Sequence, residues 1–330
     1  MVTDPPHQPV LVVGDACADL ILRMPEADSD QARTQLAPEL SGGGSAANTA
    51  VALARLGLPA TLIGVVGDDG FGRFLRHDLA AEGVDIARLA THRDAATQVV
   101  LAVIDRQGER TMFVWPEFGG AAAQLTPQQL DPDLIGRAAW LHATGMCLVE
   151  APARAAVLRG MELARAAGIP VSFDLNLRAS LVGGALPPDV ASAFARAVRL
   201  ASYVLGSAVD EFTHLAPGAT FDEVAGRLAT DGRVVVARLG AQGALLVGAA
   251  GSERIAGFSV NVVDTVGAGD AFDAGFIAAC LRGSPASEAV RWGNAVAALS
   301  VSRAGARAGP RRDEVEALLA RPGVSPSDPP

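Results

Sequence analysis

The sequence predicts an α/β protein built on a mostly parallel sheet. Short apolar runs recur along the chain, each followed by a longer stretch with apolar residues at helical spacing. Small-residue turns carrying polar groups close several of those runs. The residues are 50% hydrophobic, with 36 glycines in 330 positions, a balance that suits a large packed core rather than disorder.

Taken in order, Val10 to Val13 reads as a first buried strand ending at Gly14-Asp15, and Asp19 follows in Ala18-Asp19-Leu20-Ile21-Leu22. Polar residues from Pro25 to Pro38 predict a loop or an excursion from the main sheet. Ser41-Gly42-Gly43-Gly44-Ser45-Ala46-Ala47-Asn48 leads into a helix through Leu56 that stops at Gly57. Leu62 to Val66 predicts a strand, and a helix follows Gly67-Asp68-Asp69-Gly70 to about Ala81. Gln98 to Ile104 and Thr111 to Val114 read as a hairpin across 105–109.

Beyond the hairpin, strands are expected at Trp140 to Ala143, Val171 to Phe173, Tyr203 to Leu205, Val234 to Leu239 and Ala244 to Val247. Helices are expected at Pro152 to Ala167, Asp189 to Leu200, Phe221 to Ala229, Ala271 to Leu281 and Pro285 to Arg303. Such alternation implies a parallel sheet covered on both faces. The tail, 322–330, is rich in proline and serine and reads as frayed.

The net charge of −9 and the lack of a basic run argue against nucleic acid as a partner. No apolar run reaches spanning length, and the N-terminal residues are polar and proline-rich, so no membrane partner and a cytoplasmic location are expected. Cys17, Cys147 and Cys280 are scattered, without the spacing of a disulfide framework or a zinc site. All 27 basic residues are arginine. Without lysine, a Walker A loop and Schiff-base chemistry are both excluded.

The most informative stretch runs from Asp264 to Phe276, Asp-Thr-Val-Gly-Ala-Gly-Asp-Ala-Phe-Asp-Ala-Gly-Phe. Val260, Val262 and Val263 before it suggest a strand–turn–helix unit. Gly267 and Gly269 let the backbone turn and approach a ligand closely. The amides of Gly267, Ala268 and Gly269 would face outward at a helix N-terminus and attract an anion. Asp270 is a carboxylate beside that anion site, placed to take a proton from a hydroxyl. An ordinary turn is the competing reading. A dinucleotide loop is another, but Phe272 stands where that loop needs a small residue.

Ligands of open α/β sheets bind beyond the carboxyl ends of the strands. Asp15, Asp19, Glu150, Asp174, Asn176 and Asp270 all fall at such places, and Gly43, Gly44 and Asn48 sit at a helix start. Singly, each is more often a turn former or a helix cap. Their joint placement at one edge points to a site.

Two motifs make the chain resemble the ribokinase-like (PfkB) carbohydrate kinases. One is Gly42-Gly43-Gly44-Ser45-Ala46-Ala47-Asn48-Thr49-Ala50, followed by Leu53-Ala54-Arg55-Leu56-Gly57. The other is the stretch from Asp264 to Phe272. Supporting pieces are Val65 to Gly72, Asp174-Leu175-Asn176-Leu177-Arg178 and Leu239-Gly240-Ala241-Gln242-Gly243, so the likeness spans roughly 10–320.

The resemblance implies a ribokinase-like three-layer sandwich, one kinase domain over 1–330, with a small β-sheet lid from about 20–40 and 97–115. It implies ATP-dependent phosphorylation of a sugar or sugar-acid hydroxyl, with Asp270 as base and Gly267, Ala268 and Gly269 as anion hole. Asp15, Asp19, Gly43, Gly44, Asn48 and Glu150 would meet the sugar, together with Asp174, Asn176 and Arg178. Ser207, Leu239, Gly240, Gly243 and Asn294 would lie near the nucleotide. Mg2+ would arrive with ATP, Asp264 and Thr265 belong where relatives hold a monovalent cation such as K+, and relatives often form homodimers through the lid.

Phosphoryl transfer is mostly positioning and charge stabilisation, which amides at a helix end supply without lysine. The helix dipole predicts an ionised, weakly basic Asp270. One departure concerns Gly206-Ser207-Ala208-Val209-Asp210-Glu211, where the family commonly has Asn-x-x-Glu near Mg2+. Ser207 and Asp210 take those positions, with Glu211 as the alternative metal-side acid. Asp174-x-Asn176-x-Arg178 looks more like fructokinases and 2-keto-3-deoxygluconate kinases than ribokinases. Arg178 would match a sugar-acid carboxylate, or instead face a neighbouring acid or the phosphates. A ribokinase or nucleoside kinase, and a regulator that binds without turnover, stay open.

Overall fold

The computed structural model describes residues 8–24, 37–105, 110–177, 186–216 and 218–321. A nine-stranded sheet forms the middle layer. Along it lie β13 (Gly251–Ile255), β12 (Ala244–Gly248), β11 (Val234–Arg238), β10 (Tyr203–Ser207), β9 (Val171–Asp174), β8 (Trp140–Thr144), β1 (Val10–Val13), β4 (Ala60–Gly67) and β5 (Leu89–His92). Strands β11 through β5 pair in parallel, and β12 and β13 run antiparallel at one edge. All four residues of β1 are fully buried, as expected of a strand with helices on both sides.

Helices α3 (Ala153–Ala166), α4 (Pro188–Leu200) and α5 (Phe221–Leu228) pack one face through Val157, Met161, Phe194 and Val224. Helices α1 (Ser45–Arg55), α2 (Gly70–Ala81), α6 (Ala268–Leu281), α7 (Ala286–Val301) and α8 (Arg312–Leu319) cover the other. Every residue of α6 from Asp270 to Ala279 is buried, because α7 and the sheet enclose it. Gly275 makes that contact fit, since a Cβ there would lie 2.7 Å from Val296 Cγ2.

A second sheet stands apart, in the order β3 (Glu39–Gly43), β2 (Cys17–Arg23), β6 (Val99–Ile104), β7 (Arg110–Trp115). Its strands alternate: Met112 and Val114 line a cleft, while Phe113 and Trp115 are exposed on the opposite side. Connectivity reverses at β1, whose neighbours are β4 and β8. The crevice beyond their carboxyl ends is where such sheets hold ligands.

The structure corrects one local expectation. Residues 256–265 before α6 form no strand, and Val262 and Val263 are more than half exposed. Their β-branched pattern meets no neighbouring strand; the segment is fastened by the Val263 and Asp264 amides, which donate to Val301 O. Strands β3, β5 and β13 and helix α8 were not expected. The tail, 322–330, lies outside the described residues.

Candidate active site

A cleft of about 400 Å3 opens between the β1 and β8 ends, the N-termini of α1 and α6, and the inner face of the second sheet. Three consecutive glycines lead into α1, with Gly44 on the cleft wall, each required for a different reason. A Cβ on Gly42 would overlap Arg307 Nη1, and one on Gly43 would overlap the Asp19 carboxylate. Gly44 has φ +93°, and a Cβ there would lie 2.7 Å from Ala16 Cα. Gly44 offers α1 no side-chain cap, so Asp15 caps it from the loop after β1, accepting from Ser45 N at 3.0 Å and Ala46 N at 3.3 Å. Thr144, at the end of β8, donates to the same carboxylate at 3.4 Å.

Asp270 faces α1. Ser45 Oγ donates to its Oδ1 at 2.6 Å and Asn48 Nδ2 to its Oδ2 at 2.9 Å. Asn176, with φ 35°, donates from Nδ2 to Ser45 Oγ at 2.6 Å. Burial pushes the Asp270 carboxyl up to about 7; the Ser45 and Asn48 hydrogen bonds oppose that, and the charges of Asp174 and Asp15 add to it. The expectation of an ionised, weakly basic Asp270 is therefore overturned: desolvation outweighs the helix end, and the group titrates near neutrality.

The turn before Asp270 is partly satisfied from within. Gly267 is the left-handed cap of α6 (φ 77°), and the Ala268 amide reaches back to Thr265 O at 3.3 Å. Among the described residues the Gly267 and Gly269 amides meet no acceptor. Arg238, at the end of β11, donates to Gly269 O at 3.3 Å and holds Asp174 at 2.7 Å and Asp273 at 2.6 Å. Burial opposes the Arg238 charge, but Asp174, Asp273 and Glu211 outweigh it and raise its pKa above the ordinary value. Asp174, expected near the sugar, spends its carboxylate on this buried cation.

Beside the turn lies a second hollow of about 680 Å3, lined by Ser207, Asp210, Arg238, Leu239 and Gly240. Gly243, with φ +93°, sits so close to Ile255 O that no Cβ fits. Asn294 donates to Ile255 O at 3.2 Å and Ala256 O at 3.1 Å, so it fastens backbone around this hollow. Ser207 Oγ donates to Asp210 at 2.7 Å, and Glu211 accepts from Ser207 N at 2.7 Å. Asp210 is the exposed carboxylate of the pair, and Glu211 the one turned to the backbone. Asp264 accepts from Val266 N at 3.1 Å and Gly305 N at 3.2 Å. Glu150 accepts from Gly119 N at 2.7 Å at the rim of the first cleft. Arg178 lies outside the described residues.

The chain matches the family model for pfkB family carbohydrate kinases over residues 8–313. It is a member of that family. The aminoimidazole riboside kinase of Salmonella typhimurium is 35% identical over 303 residues, covering 90% of each chain. A fructokinase of Vibrio alginolyticus is 33% identical over 306 residues, covering 90% of this chain and 94% of its own. The E. coli protein solved as ribokinase II with ATP and Mg2+ superposes with a TM-score of 0.82 at 26% identity, over 94% of this chain and 99% of that one. The protein is thus a sugar kinase, a phosphotransferase of ribokinase-like fold, with relatives that differ in substrate. No helix among the described residues is long and apolar enough to cross a membrane.

Three residues of this kinase's site escaped the sequence reading. Ser45 stands inside the Gly42–Ala50 motif, with nothing local to mark it as a partner of Asp270. Arg238 carried a usable signal, a lone charge ending an apolar strand. Arg307, whose Nε donates to Asn48 Oδ1 at 3.1 Å, had none.

Proposed function

We propose that this kinase transfers the terminal phosphoryl group of ATP to a hydroxyl of a sugar or sugar derivative bound in the 400 Å3 cleft. One observation carries the reading: a buried carboxyl that titrates near neutrality, Asp270, sits directly after a turn with open amides and against the polar start of α1.

Asp270 accepts the hydroxyl proton as the bond to phosphorus forms, and its pKa near 7 suits that task at neutral pH. The Gly267 and Gly269 amides, with Ala268 between them, stabilise charge on the transferring group. Asp19, Gly43, Gly44 and Asn48 border the space for the acceptor sugar, with Asp15 and Glu150 shaping its edges. Ser207, Leu239, Gly240 and Gly243 border the nucleotide. Asp210 fits the single carboxylate that Mg2+ uses when phosphates and water fill its other positions, and the ion would supply charge neutralisation of the phosphates. Asp264 and Thr265 are the candidates for a K+ site. The second sheet acts as a lid that excludes water, and its outer face, with Phe113 and Trp115, is the surface for a homodimer.

A fructokinase or sugar-acid kinase is the first reading for substrate, from Asp174-x-Asn176-x-Arg178. A riboside is the second, favoured by the lid's inner face: Ile21, Val100, Ile104, Met112 and Val114 offer apolar surface to a substrate with an aromatic aglycone. ADP release with Mg2+ and ATP across ketoses, aldoses, keto-deoxy acids and ribosides separates them. At least one acceptor is expected to support turnover, and Asp270→Asn to lower kcat about 1,000-fold. Near wild-type kcat in that variant would defeat the mechanism.

A further inference from the structure

We propose that Arg307 is a positioning residue for this reaction, holding Asn48 in the one amide orientation that serves Asp270 and tying the lid to it. The proposal rests on the phosphoryl-transfer reading above.

The geometry is specific. Arg307 Nε is a donor only, so the group it meets at 3.1 Å on Asn48 is the carbonyl oxygen. That leaves the Asn48 NH2 facing Asp270 Oδ2 at 2.9 Å. A flipped amide would set donor against donor at one end and oxygen against carboxylate at the other. The same guanidinium donates from Nη2 to Gly43 O of β3 at 3.1 Å and pairs through Nη1 with Asp78 of α2. Its side chain is only 9% exposed. One cation thereby joins the second sheet, α1 and α2.

Two further features preserve the arrangement. Gly42 has no room for a Cβ because Arg307 Nη1 and Asp78 Oδ2 occupy that space. The backbone carrying Arg307 is itself gripped by Arg55, which donates to Arg307 O and, at 3.0 Å, to Gly309 O. Arg55 is held in turn by both oxygens of Glu82, at 2.8 and 2.7 Å. A chain of fixed charges thus ends on one asparagine amide beside the proposed base.

The test is a double-mutant cycle on kcat, with the acceptor that the panel identifies. Arg307→Gln should lower kcat about tenfold or more and leave KM for ATP within about twofold. In an Asn48→Ala background the same change should cost less than about twofold. Losses that multiply in the double variant, or an unchanged kcat in Arg307→Gln, overturn the proposal. Arg307→Lys guards against a misfolded variant. It keeps a charge beside Asp78 and should keep the melting temperature, yet lose kcat, since an ammonium cannot serve Asn48, Gly43 and Asp78 together. A readout without turnover is the Asn48 side-chain amide signal in NMR, expected to shift and exchange faster in Arg307→Gln; an unmoved signal also overturns it. A wild-type protein that phosphorylates no acceptor defeats the phosphoryl-transfer reading instead, and the amide signal still decides the role of Arg307.

Discussion

Ser45 donates its hydroxyl proton to Asp270 at 2.6 Å while accepting from Asn176 at 2.6 Å, so a single oxygen links the start of α1, the loop after β9 and the start of α6. The hydrogen bond favours the charged carboxylate and opposes the burial that raises its pKa. Ser45→Ala removes that opposition and strands the Asn176 amide. The expected result is a kcat lowered about tenfold to hundredfold, with an acid limb of the pH–rate profile displaced to higher pH. Steady-state kinetics from pH 5 to 9 checks both; an unmoved limb would show that Ser45 does not tune the base.

The Asp270 pKa also makes a stability prediction. Its folded value of about 7 lies above the ordinary aspartate value near 3.8, so between them the native state binds more protons than the unfolded chain. Stability therefore falls as pH rises from about 4 to about 7, by up to about 4 kcal/mol at 1.36 kcal/mol per unit. The acids that act on Asp270 are Asp15 from the loop after β1, Asp174 from β9 and, one turn along α6, Asp273. Asp270→Asn removes the titrating group, with its amide oxygen toward Asn48 and its NH2 toward Ser45. Relative to wild type it should melt several degrees higher at pH 8 and close to wild type at pH 4. Calorimetry of ligand-free protein at both pH values decides it.

Gly44 and Gly57 both have positive φ, at +93° and +83°, and differ in their surroundings. A Cβ on Gly44 would lie 2.7 Å from Ala16 Cα and 2.9 Å from Asp15 O, whereas nothing lies within 4 Å of a Cβ at Gly57. Gly57→Ala should cost only the left-handed backbone penalty, about 1–2 kcal/mol. Gly44→Ala adds a backbone overlap and should cost at least about 2 kcal/mol more, with loss of activity because α1 carries Asn48. Urea titrations of the two variants give the comparison; equal losses would show that space at Gly44 is irrelevant.

What the sequence revealed, and what it concealed, follows from the range over which each signal acts. Gly267, Gly269 and Asp270 announce themselves because a tight turn, a helix start and a stray acid are local features. The buried strands β1, β4 and β8 are similarly legible, since apolar runs bounded by turns need no partner to be recognised. Strands β3 and β13 are short; β3 ends in two glycines and β13 is almost wholly exposed, so neither alternation nor hydrophobicity marks them. Val260 to Val263 mislead in the opposite sense, with strand-like residues but no neighbour to pair with. Asp174 was visible as a polar group at a strand end. Its partner was not, because Arg238 lies 64 residues away and their contact exists only once β9, β10 and β11 align. Arg307 is harder still: it reaches Asn48 across 259 residues from a loop with no regular pattern.

Arg238 gives the sharpest stability prediction, because two of the carboxylates it holds are almost fully buried. Asp174 and Asp273 are 1% and 0% exposed, and Glu211 lies 3.8 Å from the same guanidinium. Removing the cation leaves two buried carboxylates uncompensated, a change that costs about 3–5 kcal/mol. Arg238→Met should therefore lower the urea midpoint strongly. The deficit should narrow as the pH falls, since burial already holds the Asp273 carboxyl well above the ordinary aspartate range, and without the cation it can take up a proton in place of the lost charge. Arg238→Lys should recover less than half of the loss, because one ammonium cannot repeat the two-armed grip on Asp174 at 2.7 Å and Asp273 at 2.6 Å. The variant also frees Gly269 O, the acceptor of a third Arg238 hydrogen bond at 3.3 Å, so the turn before Asp270 loosens. Lysine should accordingly restore stability better than kcat. Full recovery of both by lysine would mean that charge alone matters at this position, and that the planar fork of arginine does not.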